Sequence, residues 1–162
     1  LWRYVIGDTI KFTSTFPFKI QVSGRIKHFI NAFGEELIVE NAEYALTKAS
    51  KEHNVSIKEY TAAPIYFSKG EAGGHEWLIE FEKEPVDLNA FVISLDNALK
   101  EINSDYEAKR YNNYNIKLPI VKKAPKDLFY NWLKNKGKLG GQHKVPRLSN
   151  DRKYLEELLM LV

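Results

Sequence analysis

Between Glu36 and Ile102 the apolar residues recur first at helical spacing, then in two strand-like runs, then at helical spacing again, and this order restricts the fold more than composition does. Leu37, Ile38, Asn41, Ala42, Ala45, Leu46 and Ala49 mark one face of a helix through Glu36 to Glu52, which His53-Asn54 ends. Val55 to Phe67 reads as a strand with a break at Pro64, and Ser68 to Gly74, with Gly70, Gly73 and Gly74, reads as a connection. In His75 to Glu82, Trp77, Ile79 and Phe81 alternate with Glu76, Glu80 and Glu82, the period of a half-buried strand. These two strands are expected to pair antiparallel. Pro85 and Asp87 then open a second helix, in which Leu88, Phe91, Val92, Leu95, Leu99 and Ile102 fall on one stripe.

Two shorter runs, His28 to Asn31 and Leu118 to Lys122, read as strands and complete a β-α-β-β-α-β order. The expected fold is therefore α+β, a ferredoxin-like sheet with helices packed on it. Ser104-Asp105-Tyr106-Glu107 resembles the capped start of a short helix. Extra C-terminal helices are expected after Pro125-Lys126-Asp127, with Leu128, Phe129, Trp132 and Leu133 on one side, and after Ser149-Asn150-Asp151, with Tyr154, Leu155, Leu158 and Leu159. Ahead of the main pattern, Trp2 to Ile6, Thr9 to Phe16 and Phe18 to Val22 are rich in aromatic and β-branched residues, and Phe16-Pro17-Phe18 supplies a turn between strands.

A chain of 162 residues with 44% apolar content can bury roughly 70% of its unfolded surface and form a real core. No apolar run approaches the roughly 20 residues that span a bilayer, so no membrane partner is expected. The absence of cysteine excludes disulfides and thiolate metal sites, and makes the cytoplasm the default location. His28, His53, His75 and His143 lack ligand spacing, so no metal site is expected. Net charge is +3, but Lys117 to Arg147 carries nine Lys or Arg against the single acid Asp127, a local +8 that leaves about −5 elsewhere. Such a segment is either a solvated surface or a face for a polyanion.

Several polar residues stand where they could do chemistry. Asp8 follows Gly7 at a strand end, where a carboxylate can accept hydrogen bonds from vicinal hydroxyls or simply finish a turn. Arg25, after Gly24, presents a guanidinium fork suited to oxygen acceptors or to a surface ion pair. In Gly34-Glu35-Glu36 the glycine can take a positive φ, and the acids suit the start of a helix. Near the far end, Gly140-Gly141-Gln142-His143-Lys144-Val145-Pro146-Arg147 joins a glycine-rich bend to a lysine and a Pro-Arg pair. His75 is expected to be structural.

Taken with their spacing, Tyr4-x-x-Gly7-Asp8 and Gly24-Arg25-x-Lys27-x-x-Ile30-x-x-x-Gly34-Glu35 resemble the late motifs of adenylate-forming ligases. The segment around Lys144 to Arg147 resembles the Gln-Phe-Lys-x-Pro-Arg stretch of the plant auxin-responsive acyl-acid amido synthetases, a branch of that superfamily. Arg3-Tyr4, Gly74-His75 and the closing helix agree, whereas Gly34-Glu35-Glu36 follows the generic ligases, so the resemblance is to a bacterial-type relative of the plant enzymes. It implies that Asp8 and Arg25 are nucleotide-binding, that Lys27 is the hinge, and that Lys144 is the catalytic cation reaching the phosphates or the acyl-adenylate. It also implies ATP and magnesium, bound mainly by a preceding adenylation domain, with a carboxylic acid and an amine or amino acid as substrates. Motifs of this kind lie deep within longer enzymes, and this chain opens with Leu1. The expectation is that residues 1–26 end the large adenylation domain, that residues 27–162 are its mobile C-terminal lid, and that the isolated chain is inactive.

Two other readings are open. A stand-alone ferredoxin-like module binding nucleic acid would use the basic segment, although no aromatic-glycine signature of an RNA-binding sheet is present. A ligase of another branch would pass its acyl group to coenzyme A or a carrier protein, and only the last residues of the chain argue against it.

Overall fold

The computed structural model describes residues 8–25, 28–67, 72–113, 115–137 and 144–162. An antiparallel hairpin comes first, β1 (Asp8–Thr15) with β2 (Phe18–Arg25), joined across a cis Phe16–Pro17 bond. The strand expected at Trp2 to Ile6 lies outside the described residues. β3 (Phe29–Ile30) and β4 (Leu37–Ile38) form a second small antiparallel pair. Leu37 and Ile38 were expected in the first helix. Positive φ values at Gly34 (84°) and Glu36 (42°) instead fold the chain back, so that both residues extend, and Leu37 is fully buried. Helix α1 (Val39–His53) begins only after them, where Asn41 Oδ1 accepts from the Ile38 amide at 3.2 Å, and it ends on Asn54 in the left-handed region.

The main sheet has the order β5-β6-β7, with β5 (Ser56–Ile65) antiparallel to β6 (Gly74–Lys83) and β7 (Ile120–Lys123) parallel to β6. Pro64 lies within β5, opposite His75, instead of breaking it. It stands near the end of the strand, past the point where a C-terminal segment bridges Ala62 to Leu148, so no ladder donor is lost there. β3 does not join this sheet; the free side of β5 is met by residues 147–149, with Ala62 donating to the Arg147 carbonyl at 2.9 Å and Ser149 donating to the Ala62 carbonyl at 3.2 Å.

Helices cover both faces. On one side α1, α2 (Leu88–Ile102) and α3 (Ser104–Arg110) bury Ala42, Leu46, Phe91, Leu95, Leu99 and Tyr106 against Tyr60, Trp77 and Ile79. On the other, α4 (Leu128–Asn135) and α5 (Lys153–Leu159) bury Leu128, Trp132, Leu155 and Leu158 against Ala63 and Leu78. The α+β class and the added C-terminal helices are as the sequence implied. The half-buried reading of β6 is not: Glu76 is only 6% exposed and Glu80 only 1%. The second helical layer covers them, and the starts of α4 and α5 together with the neighbouring strands supply their partners. Glu76 meets Lys122 Nζ at 2.7 Å and Arg152 Nη2 at 2.5 Å, while Glu80 meets Lys58 Nζ at 3.0 Å and accepts from the Asp127 amide at 2.8 Å.

Side-chain caps start α2 and α3, and Asp151, one residue ahead of the α5 N-cap, bonds into the first turn of α5. Asp87 accepts from the amides of Asn89 (2.8 Å) and Ala90 (3.1 Å), as its sequence context suggests. Asn103 caps α3 by accepting from Tyr106 N at 2.8 Å, and Asp151 accepts from Lys153 N at 3.0 Å.

A buried ionic knot ties α2 and α3 to the approach to β7. Asp96 is 2% exposed and accepts from Arg110 Nε (2.6 Å), Arg110 Nη2 (2.9 Å) and Tyr106 Oη (2.8 Å), while Arg110 Nη1 reaches the Ile116 carbonyl at 2.9 Å. Burial alone would raise the Asp96 carboxyl, but the bonds from Arg110, Lys100 and Tyr106 outweigh it and hold it below its ordinary value. Removing that acceptor leaves a guanidinium buried without its counter-charge. Asp96→Ala is expected to lose about 3 to 5 kcal/mol in a urea titration; a loss under about 1 kcal/mol would show that water replaces the carboxylate.

Candidate functional site

The hairpin brings together two of the residues singled out in the sequence. In the β1–β2 ladder Asp8 stands directly across from Arg25, and Thr9 across from Gly24. Two positions 17 apart in the chain thus share one end of a two-stranded ribbon. Ile10, Phe12, Phe18, Ile20 and Val22 of the same ribbon are all more than half exposed. Lys27 lies outside the described residues.

Lys144 is exposed, at the start of an arm that runs along β5. The following residues are fixed in turn. Val145 is 3% exposed among Leu128, Trp132 and Leu155; the Pro146 carbonyl accepts from Thr61 Oγ1 at 2.7 Å; and Arg147 to Ser149 bond to Ala62. Asn150 Oδ1 accepts from the Asn31 amide at 2.7 Å, and Pro146, Asn150 and Tyr154 share a cleft of about 370 Å³ with His28 and Phe29. The Lys144 arm therefore lies beside the strand that follows Lys27, although the two are more than a hundred residues apart in the chain.

The loop after β3 is locked from inside. Glu35, expected at a helix start, is fully buried, and its carboxylate accepts from His75 Nε2 at 2.8 Å and from the Phe33 amide at 2.7 Å. Asn103 Nδ2 donates to the Glu35 carbonyl at 2.9 Å, and the His75 ring stacks on Tyr106 at 5.7 Å. His75 is structural, as expected, and its Nδ1 finds no hydrogen-bond partner among the described residues. Gly73 is held to glycine by this packing, because a Cβ there would lie 2.3 Å from the Phe33 ring and 2.8 Å from the Ile65 carbonyl.

The local +8 of the sequence is offset in part in three dimensions. Lys122 pairs with Glu76, Lys123 with Glu84, Lys136 with Glu157 and Arg147 with Glu43, and each of these acids comes from outside the basic segment. Among the described residues no cluster of three His, Cys, Asp or Glu side chains could hold a metal, and no helix is long and apolar enough to cross a membrane. Sequence reasoning missed the group formed by Glu43, Tyr60 and Arg147, which are scattered along the chain. Tyr60 Oη donates to Glu43 Oε1 at 2.9 Å, and the Arg147 guanidinium both pairs with Glu43 and lies 5.5 Å above the Tyr60 ring.

Residues 40–153 match the GH3 family C-terminal domain. The chain belongs to that family. A solved GH3.15 acyl acid amido synthetase superimposes with a TM-score of 0.74 at 19% identity over 99% of this chain. A second structure, AtGH3.15 acyl acid amido synthetase in complex with 2,4-DB, gives 0.70 at 19% identity over the same share. This GH3 domain spans about 30% of the length of each of those chains. No curated protein sequence matches it.

The buried carboxylates of the GH3 domain set its response to acid. Burial raises Glu35 and Glu76, but His75 and the Phe33 amide for the first, and Lys122 and Arg152 for the second, leave both below their ordinary value of 4.5. A depressed folded value means stability that is present above 4.5 and is lost as pH falls through the folded value. Glu59, raised mainly by burial, acts in the opposite sense and offsets part of the loss. The urea midpoint is expected to hold between about pH 7 and about pH 5 and then fall steeply, with a shallower fall in Glu76→Gln. Parallel acid limbs in the two proteins would remove Glu76 from this account.

Proposed function

We propose that this chain is the C-terminal lid of an ATP-dependent acyl-acid amido synthetase, with residues 1–26 the end of the adenylation domain before it and residues 27–162 the moving part. The family match over residues 40–153 carries this reading, and the shared fold along the whole chain supports it. In the reaction a carboxylate oxygen attacks the α-phosphorus of ATP and pyrophosphate leaves. An amine nitrogen, preferably that of an amino acid, then attacks the acyl carbon and AMP leaves.

The donor set of this chain suits the nucleotide. Asp8 is assigned to the ribose hydroxyls and Arg25 to ribose or phosphate, and their opposition in the ladder favours a joint role. Lys144 neutralises charge as pyrophosphate departs, and its exposure on an anchored arm is what a delivered cation needs. Lys27 is the hinge on which the lid turns between the two half-reactions. Magnesium is assigned, with most of the nucleotide, to the preceding domain. The exposed apolar residues of the hairpin suit packing on that domain, because a lone two-stranded ribbon is marginal in water. A chain without cysteine suits the reducing cytoplasm, where we place the enzyme.

In the complete protein that carries this chain, exchange of pyrophosphate into ATP is expected to depend on a carboxylic acid and to fall about 100-fold or more in Lys144→Ala. The isolated domain is expected to turn over no ATP and to bind it weakly. An acid panel without exchange, or tight ATP binding by the domain alone, would overturn the reading; acyl transfer to coenzyme A and not to amines would move the enzyme to another branch.

A further inference from the structure

The geometry points to Arg147, with Glu43 and Tyr60, as a positioning clamp that sets where Lys144 stands; the inference rests on the adenylation reading above. Lys144 itself is exposed, so its own side chain does not fix its place. What fixes it is the backbone of the next residues. Thr61 holds the Pro146 carbonyl at 2.7 Å, and the Arg147 carbonyl accepts from Ala62 N at 2.9 Å. Those contacts set the height of the arm on β5 but leave its tilt to side chains on either face of the sheet.

Val145 anchors one face, buried against Leu128, Trp132 and Leu155. The guanidinium of Arg147 anchors the other. It pairs with Glu43 on α1 and lies over the Tyr60 ring, with Glu59 at 4.0 Å. Tyr60 Oη donates to the same Glu43 oxygen, so the carboxylate is held from two sides. Burial first, and the Glu43 charge beside it, keeps the Tyr60 phenol well above its ordinary range, so it stays a donor at any working pH. The Arg147 and Glu43 side chains are 41% and 43% exposed, and a pair so wet contributes little to folding. Its consequence is orientation. A planar guanidinium that meets a carboxylate and a ring together admits few rotamers, which a single-point ammonium would not enforce. The arm is thus held on both faces, and Lys144 enters solvent from a defined point.

Pyrophosphate exchange in the complete protein tests the clamp through a double-mutant cycle. Arg147→Ala is expected to lower exchange kcat about 10- to 100-fold with little change in the KM for ATP. Arg147→Lys should recover part of that loss, because it keeps the pair with Glu43. Placed on Lys144→Ala, the Arg147→Ala change should cost less than about twofold more. Tyr60→Phe, which removes one hydroxyl, should give a smaller loss that likewise vanishes in the Lys144→Ala background and serves if Arg147→Ala does not fold. Full kcat in Arg147→Ala, or losses that multiply in the double mutant, would overturn the clamp while leaving adenylation standing. A wild-type protein without exchange would remove the adenylation reading, and the clamp's role with it.

Discussion

Everything in this domain depends on a central strand that is covered on both faces. β6 presents Trp77 and Ile79 to α1 and α2 and presents Glu76, Leu78 and Glu80 to α4 and α5. Carboxylates placed between two layers need cations or donors, or their burial would cost several kcal/mol each. Lys58, Lys122, Arg152 and the Asp127 amide meet that need, and each comes from an element that must then sit at a fixed place on the sheet. Asp127, whose amide donates to Glu80, takes a φ of 62° at the start of α4. The C-terminal helices are therefore part of the core, and Arg152 ties α5 both to Glu76 and, at 3.0 Å, to the Pro64 carbonyl of β5.

Where a feature depends on neighbours in the chain, the sequence is a good guide to it. Asp87 caps α2 through amides two and three residues on, and Asn54 ends α1 because it tolerates the left-handed turn. Features that depend on a distant partner are silent in the sequence. Alternation in β6 has the same period whether its glutamates face water or a second layer of helices, so Glu76 and Glu80 read as exposed until α4 and α5 are placed. Leu37 and Ile38 fit the helical stripe as well as they fit β4, and only the turn at Gly34 and Glu36 decides between them.

The candidate site divides in the same way. Motif spacing marks Asp8, Arg25 and Lys144, but what sets Asp8 across from Arg25 is the pairing of Thr15 with Phe18 at the turn, because the register shifts at Thr9/Ile10 and Phe12/Ser14 cancel. The basic run was legible as a count, but the part of it that is neutralised was not. Four of its cations take their partners from Glu43, Glu76, Glu84 and Glu157, which no window along the chain would associate with them.

One mechanical property links these observations. On the lid reading proposed above, the domain would have to tie β3 to the Lys144 arm, or rotation would be lost in local bending. Two separate locks do this here. Glu35 binds His75 on β6 and fixes the loop after β3, while the arm beginning at Lys144 binds Ala62 on β5, a strand paired with β6 along its length. The Asn31 amide closes the circuit directly on Asn150. The path from β3 to the Lys144 arm thus runs through the sheet on one route and through a single hydrogen bond on the other. Close-packed protein interiors deform little. On the lid reading proposed above, a turn of the domain would carry β3 and the Lys144 arm together.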